Sequence, residues 1–149
     1  MTLPHPRAFA LASLFGLFVG CSGSPSDNGP KGPEVSGVNV SGVVLDNGKP
    51  LKLRPRETVN VSFTSPTDPL LAGGADVGKD GSFKIIGPHA KGLPAGKWRV
   101  SLQSDNDGTG EDRFAASLGL GNTVLVAELA GAGDQVFEID VASKKIIKK

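Results

Sequence analysis

Three groups of residues carry side chains that chemistry would require. They are the single cysteine, Cys21; the histidine in Gly87-Pro88-His89-Ala90-Lys91; and the acidic run Asp105-Asn106-Asp107-Gly108-Thr109-Gly110-Glu111-Asp112. Cys21 has no second cysteine to pair with, so an internal disulfide is excluded. A serine hydrolase would have to recruit His89, which sits in a Gly/Pro loop with no strand-to-helix nucleophile turn around a serine. The plain reading of His89 is an exposed loop residue. Zinc would need more imidazole and thiolate ligands than this chain offers beyond Cys21. In the acidic run, Asp105, Asp107, Thr109, Glu111 and Asp112 present the hard oxygen donors that calcium takes. Asp105, Asp107, Thr109 and Gly110 fit the first half of an EF-hand loop, but Ala116 stands where the bidentate glutamate belongs. The run therefore reads as a solvated acidic turn, with a loose calcium loop as the alternative. No other cofactor is expected.

These residues must be held by a small chain. Its 149 residues leave room for one domain plus targeting and tethering segments. Gly at 21 and Pro at 11 suit many turns between short strands, and apolar residues recur throughout 35–141, unlike a disordered composition. Setting aside Arg7, the 16 Lys and Arg become 15 and balance the 15 Asp and Glu. That balance argues against nucleic acid as a partner, because counterion displacement needs a basic excess. The visible bias is the basic tail at 144–149, which reads as a solvated terminus or, alternatively, a contact for an anionic surface.

Residues 1–7 carry Arg7, and residues 8–19 run without a charge up to Gly20-Cys21. Twelve such residues are too few to span a bilayer core, which takes about 20. The segment Leu17-Phe18-Val19-Gly20-Cys21 resembles the lipobox of bacterial lipoproteins, with Phe18 where leucine is usual. The resemblance implies a signal peptide over 1–20, removed at Cys21, whose thiol then carries acyl chains such as palmitate. A thiolate suits that alkyl transfer, and two or more chains hold a protein firmly to a membrane. Residues 22–33 (SGSPSDNGPKGP) offer nothing apolar to bury, so 21–34 reads as the lipidated cysteine and a flexible tether. Such a spacer reaches on the order of 20 Å.

From residue 35 to 143 alternation of period two dominates. Val38, Val40 and Val44 share a face, with Gly42 read as a bulge. The turn Asp46-Asn47-Gly48-Lys49-Pro50 follows, then Val59, Val61 and Phe63 alternate with polar residues. Ala75 to Val77, Phe83 and Ile85, then Trp98, Val100 and Leu102 continue the pattern. Residues 124–129 and 136–141 close it as a pair around Gly131-Ala132-Gly133-Asp134. Only residues 113–120 suit a helical turn. The expected fold is all-β, a single antiparallel sandwich of about seven strands. Trp98 lies in phase with Val100 and Leu102, so it belongs to the core rather than to a sugar-stacking platform.

The segments Ser41-Gly42-Val43-Val44, Asn47-Gly48-Lys49-Pro50-Leu51, Val59-Asn60-Val61-Ser62-Phe63, Lys79-Asp80-Gly81-Ser82-Phe83 and Gly92-Leu93-Pro94-Ala95-Gly96-Lys97-Trp98 resemble, in order and spacing, the carboxypeptidase regulatory-like domain. That is an Ig-like or transthyretin-like β-sandwich found in small planctomycete-type lipoproteins. The resemblance implies an accessory or binding module of the cell envelope, anchored to the bilayer through Cys21 on the periplasmic or extracellular face. Its partner would be an envelope protein or polymer, and the long segment 105–122 the expected contact loop. It implies no chemistry: the transthyretin-like hydrolases use several histidines and a tyrosine-containing carboxyl terminus, and this chain has no Tyr. The alternatives are an envelope hydrolase of another type, working around His89, and a calcium-dependent binding module through 105–112.

Overall fold

In the computed structural model the described residues are 37–87, 91–106 and 112–149. Contacts divide the chain into Met1–Gly32 and Pro33–Lys149, and every described residue lies in the second unit. Cys21, the tether, His89, Asp107, Thr109 and Glu111 lie outside the described residues.

Strand β1 (Val38–Asp46) buries Val38, Val40 and Val44 and turns its other side chains outward. Asn47 and Gly48 both take positive φ (52° and 75°), the requirement of a two-residue type I′ turn. They fold the chain back into the two-residue β2 (Lys49–Pro50). β3 (Glu57–Thr64) alternates strictly, burying Val59, Val61 and Phe63. β4 (Ala72–Asp76) and β5 (Ser82–Ile85) follow, then the longest strand, β6 (Gly96–Asn106). β7 (Leu125–Leu129), β8 (Gly133–Asp140) and β9 (Lys145–Lys148) complete the chain.

The strands form two sheets. The first has the order β2-β1-β8-β9, with β5 also pairing β1; the second has the order β4-β3-β6-β7. Their inner faces share one core, in which the Phe63 ring of the second sheet meets the Phe137 ring of the first at 6.2 Å. Trp98 is 2% exposed in that core, and its indole Nε1–H donates to the Pro94 carbonyl at 3.0 Å. A buried ring with a satisfied polar edge is what a core tryptophan requires. Among the described residues no helix is long and apolar enough to cross a membrane.

The all-β two-sheet architecture agrees with the sequence reading; several details correct it. Nine strands stand among the described residues rather than about seven, because short edge pairings at Lys49–Pro50 and Lys145–Lys148 carry too little alternation to announce themselves. The first sheet is mixed, since β1 and β8 pair in parallel over Val38↔Gly133 to Leu45↔Asp140. Period two reports burial and not direction, so alternation could not show this. Gly42 is no bulge: its pairing with both Phe83 and Phe137 is unbroken. A Cβ there would run into the Phe137 carbonyl oxygen and the Phe83 ring, so glycine lets the strands close. The basic tail is not a loose solvated terminus but an edge strand. Residues 145–148 form β9 against β8, and Lys149 Nζ lies 2.7 Å from the Glu138 carboxylate. The fourth strand starts at Ala72 rather than Ala75, its glycines included.

Candidate functional site

The acidic loop resolves into a clamp at its downstream end. Asp112 Oδ1 accepts from the Ser104 amide (3.1 Å), the Ser104 hydroxyl (3.0 Å) and the Phe114 amide (3.0 Å). The Arg113 amide in turn donates to Ser104 Oγ at 2.8 Å. One carboxylate oxygen thus closes the loop onto the end of β6. Asp105 also lies on β6, where its backbone carbonyl pairs with the Thr58 hydroxyl. Among the described residues no three His, Cys, Asp or Glu side chains gather where a metal ion would bind. Downstream, the Arg113 guanidinium reaches the buried Glu57 carboxylate at 3.1 Å, and Glu57 also accepts from the Arg54 amide at 2.7 Å. A 3-10 turn, Ala116–Leu118, then drops Leu118 into the core. The described part of the 105–122 segment is therefore tied to the sandwich.

A cleft lies elsewhere, on the outer face of the second sheet. Strand alternation decides which side chains reach it. Trp98, Val100 and Leu102 point inward, so Arg99, Ser101 and Gln103 point outward, and Ser62 stands opposite Ser101 on β3. Such a face should be washed by solvent. Instead two loops rise on either side and enclose a cleft of about 570 Å³.

Both rims are pinned by hydrogen bonds. In the 65–71 loop the Ser65 amide donates to the Leu71 carbonyl (2.9 Å), and Ser65 Oγ accepts from the Thr67 (3.3 Å) and Asp68 (3.2 Å) amides. In the 119–124 segment the Thr123 hydroxyl donates to the Val100 carbonyl and accepts from the Leu125 amide. The Val124 amide adds a bond to the Ser117 carbonyl at 3.0 Å. Pro66, Pro69 and Leu120 give these rims an apolar surface.

The floor is polar and incompletely satisfied. Ser101 is 2% exposed, yet its hydroxyl has no hydrogen-bond partner. Buried hydroxyls are nearly always paired, and each exception calls for a reason. Ser62 beside it donates its hydroxyl to Asn60 Oδ1 at 2.8 Å. Arg99 is the one charged group among the described lining residues, and its guanidinium makes no ion pair there. The carboxylates with lowered pKa lie away from the cleft. Asp80 is lowered by the Ser82 hydroxyl and amide, and Asp140 by the Ser143 amide at the β8–β9 turn.

Of the residues marked by sequence, the structure gives Asp112 a loop-closing role and places Asp105 on β6, without bringing either to the cleft. The cleft itself was missed. Its sequence signal was faint: hydroxyl residues at outward positions of two strands (Ser62, Thr64, Ser101) and a proline-rich connection. No protein-family model matches the chain, and no curated protein sequence matches it.

Proposed function

We propose that this chain is a non-enzymatic lipoprotein of the bacterial envelope, held to the bilayer by acyl chains on Cys21. Its β-sandwich, of the Ig-like or transthyretin-like type, serves as a binding module. The observation that carries the binding role is the orphaned Ser101 hydroxyl, buried at the floor of a cleft with pinned rims. Pre-formed clefts of about 300–1,000 Å³ with a few converging polar groups are what small ligands and chain ends occupy. The described lining offers hydroxyls, an amide and a guanidinium, which bind and orient. Acyl transfer would need a base within reach of Ser101 Oγ, and that oxygen touches no polar partner. The anchoring role rests on the apolar run that ends at Gly20-Cys21.

The test is photo-crosslinking on intact expressing cells. A crosslinking residue at Gln103, on the cleft face, should capture a discrete species; the same residue at Lys145, on β9 of the other sheet, should not. Mass spectrometry of the recovered protein should find acyl groups on Cys21. Equal capture from both positions, or an unmodified Cys21 in the membrane fraction, would refute the corresponding half of the proposal.

A further inference from the structure

We infer that the cleft takes an aliphatic carboxylate bearing an acceptor oxygen close to its carboxyl group, as an N-acylated amino acid or the last residue of a peptide does. The inference rests on the binding role proposed above and specifies its ligand. Three features of the cleft each select part of this chemistry.

Arg99 sets the charge. It is the sole charged side chain among the described lining residues, and no carboxylate there opposes it. A guanidinium presents a planar fork of donors that matches a carboxylate with two parallel hydrogen bonds. A phosphate would call for further cationic partners or a nest of amides, and among the described lining residues Arg99 is the one cation.

Ser101 sets the second contact. It stands two residues from Arg99 on the same face of β6, so the two Cα atoms are roughly 7 Å apart by strand geometry. Its hydroxyl hydrogen and lone pairs are unused. A ligand oxygen reaching the floor would accept from it while the carboxylate remains at the longer Arg99 side chain. The neighbouring Ser62 hydroxyl has spent its hydrogen on Asn60, so it does not compete as a donor.

The rims set the body of the ligand. Pro66, Pro69 and Leu120 are apolar, and Leu120 is 59% exposed. An aliphatic group covering Leu120 gains from leaving water. No aromatic ring stands among the described lining residues, so neither a nucleobase nor a sugar ring finds a stacking surface there.

The experiment is amide-shift titration of the full protein in detergent micelles with N-acetyl-leucine. Parallel arms use N-acetyl-leucinamide, glucuronate, and a short acetylated peptide ending in leucine. N-acetyl-leucine should move the amides of residues 99–103 and of the two rims. The neutral amide should bind about tenfold more weakly, as should the acid against Arg99→Gln. Ser101→Ala should weaken the acid several-fold while leaving the shifts of the rest of the sandwich in place. Tighter binding of the peptide than of the free acid would mark a chain end as the source; the reverse order would mark a small molecule. Equal affinity for acid and amide, or preference for glucuronate, overturns the ligand assignment and leaves the cleft a binding site. Silence of every probe at the cleft, with capture from Gln103 on cells, also overturns this inference alone. Silence in both experiments removes the binding role as well.

Discussion

Ser101→Ala removes a hydroxyl that the free protein buries and leaves unpaired, so it should stabilise the fold while impairing the cleft. An unsatisfied buried hydroxyl costs about 1–3 kcal/mol. Against that gain stands the space vacated by one oxygen atom. At about 24 cal/mol per Å³ of cavity, a void on the order of 10–15 Å³ costs roughly 0.3 kcal/mol. The lower end of the first range, less the second, leaves a net gain of about 0.7 kcal/mol. In a domain of this size that raises Tm by about 3 °C. Ser62→Ala is the internal control, because Ser62 has the same side chain on the same sheet face but donates to Asn60 Oδ1 at 2.8 Å. It should lose about 0.5–1.5 kcal/mol. Urea unfolding followed by circular dichroism separates the two, with the midpoint moving in opposite directions at unchanged slope. A Ser101→Ala midpoint that falls as far as that of Ser62→Ala would refute the reasoning. It would mean that the Ser101 hydroxyl is a structural group with a partner, and the case for a binding site there would go with it. A gain in stability from deleting a group is the mark of a residue kept for function.

Three other perturbations test the scaffold that holds the cleft. Arg113→Ala strands the Glu57 carboxylate, whose side chain is only 2% exposed, leaving it the hydrogen bond from the Arg54 amide; the loss should be about 3 kcal/mol by urea titration. Gly42→Ala forces a methyl group against the Phe137 carbonyl and the Phe83 ring between β5 and β8, and should cost more than about 2 kcal/mol or prevent folding, read by the yield and thermal melt of purified protein. The Asp140 carboxyl is held below its ordinary value of 3.8, first by the Ser143 amide. Because the folded value lies below the unfolded one, its contribution is present above pH 3.8 and is lost as pH falls through the folded value. A carbon-detected pH titration should show Asp140 ionising below 3.8, and Asp140→Asn should flatten the acid limb of stability; a midpoint at or above 3.8 would contradict the capped turn.

What sequence could show follows from what alternation encodes. Inward positions Val59, Val61, Phe63, Trp98, Val100 and Leu102 repeat every second residue, and each is buried. The Asn47-Gly48 turn was legible for a similar reason, since few residues adopt its positive φ. Strand direction was not legible, because the parallel β1–β8 pair depends on residues some 95 positions apart, such as Val40 and Gln135. The same distance effect hid the site. Ser101 reads as an outward, solvated serine, and only the 65–71 and 119–124 loops, folded over β6 from either side, turn it into a buried one. Asp112 reads from sequence as one carboxylate of a solvated acidic turn for the converse reason: composition records the carboxylate, whereas the three donors to its Oδ1 come from the fold.

The most direct measurement is an amide-shift map of the labelled protein before and after adding small molecules extracted from the cells that make it. The account predicts shifts confined to the outward positions of β3 and β6 and to the two rim loops, lost on Arg99→Gln. Shifts centred on the first sheet, or on the 112–118 segment with the cleft unmoved, would contradict it.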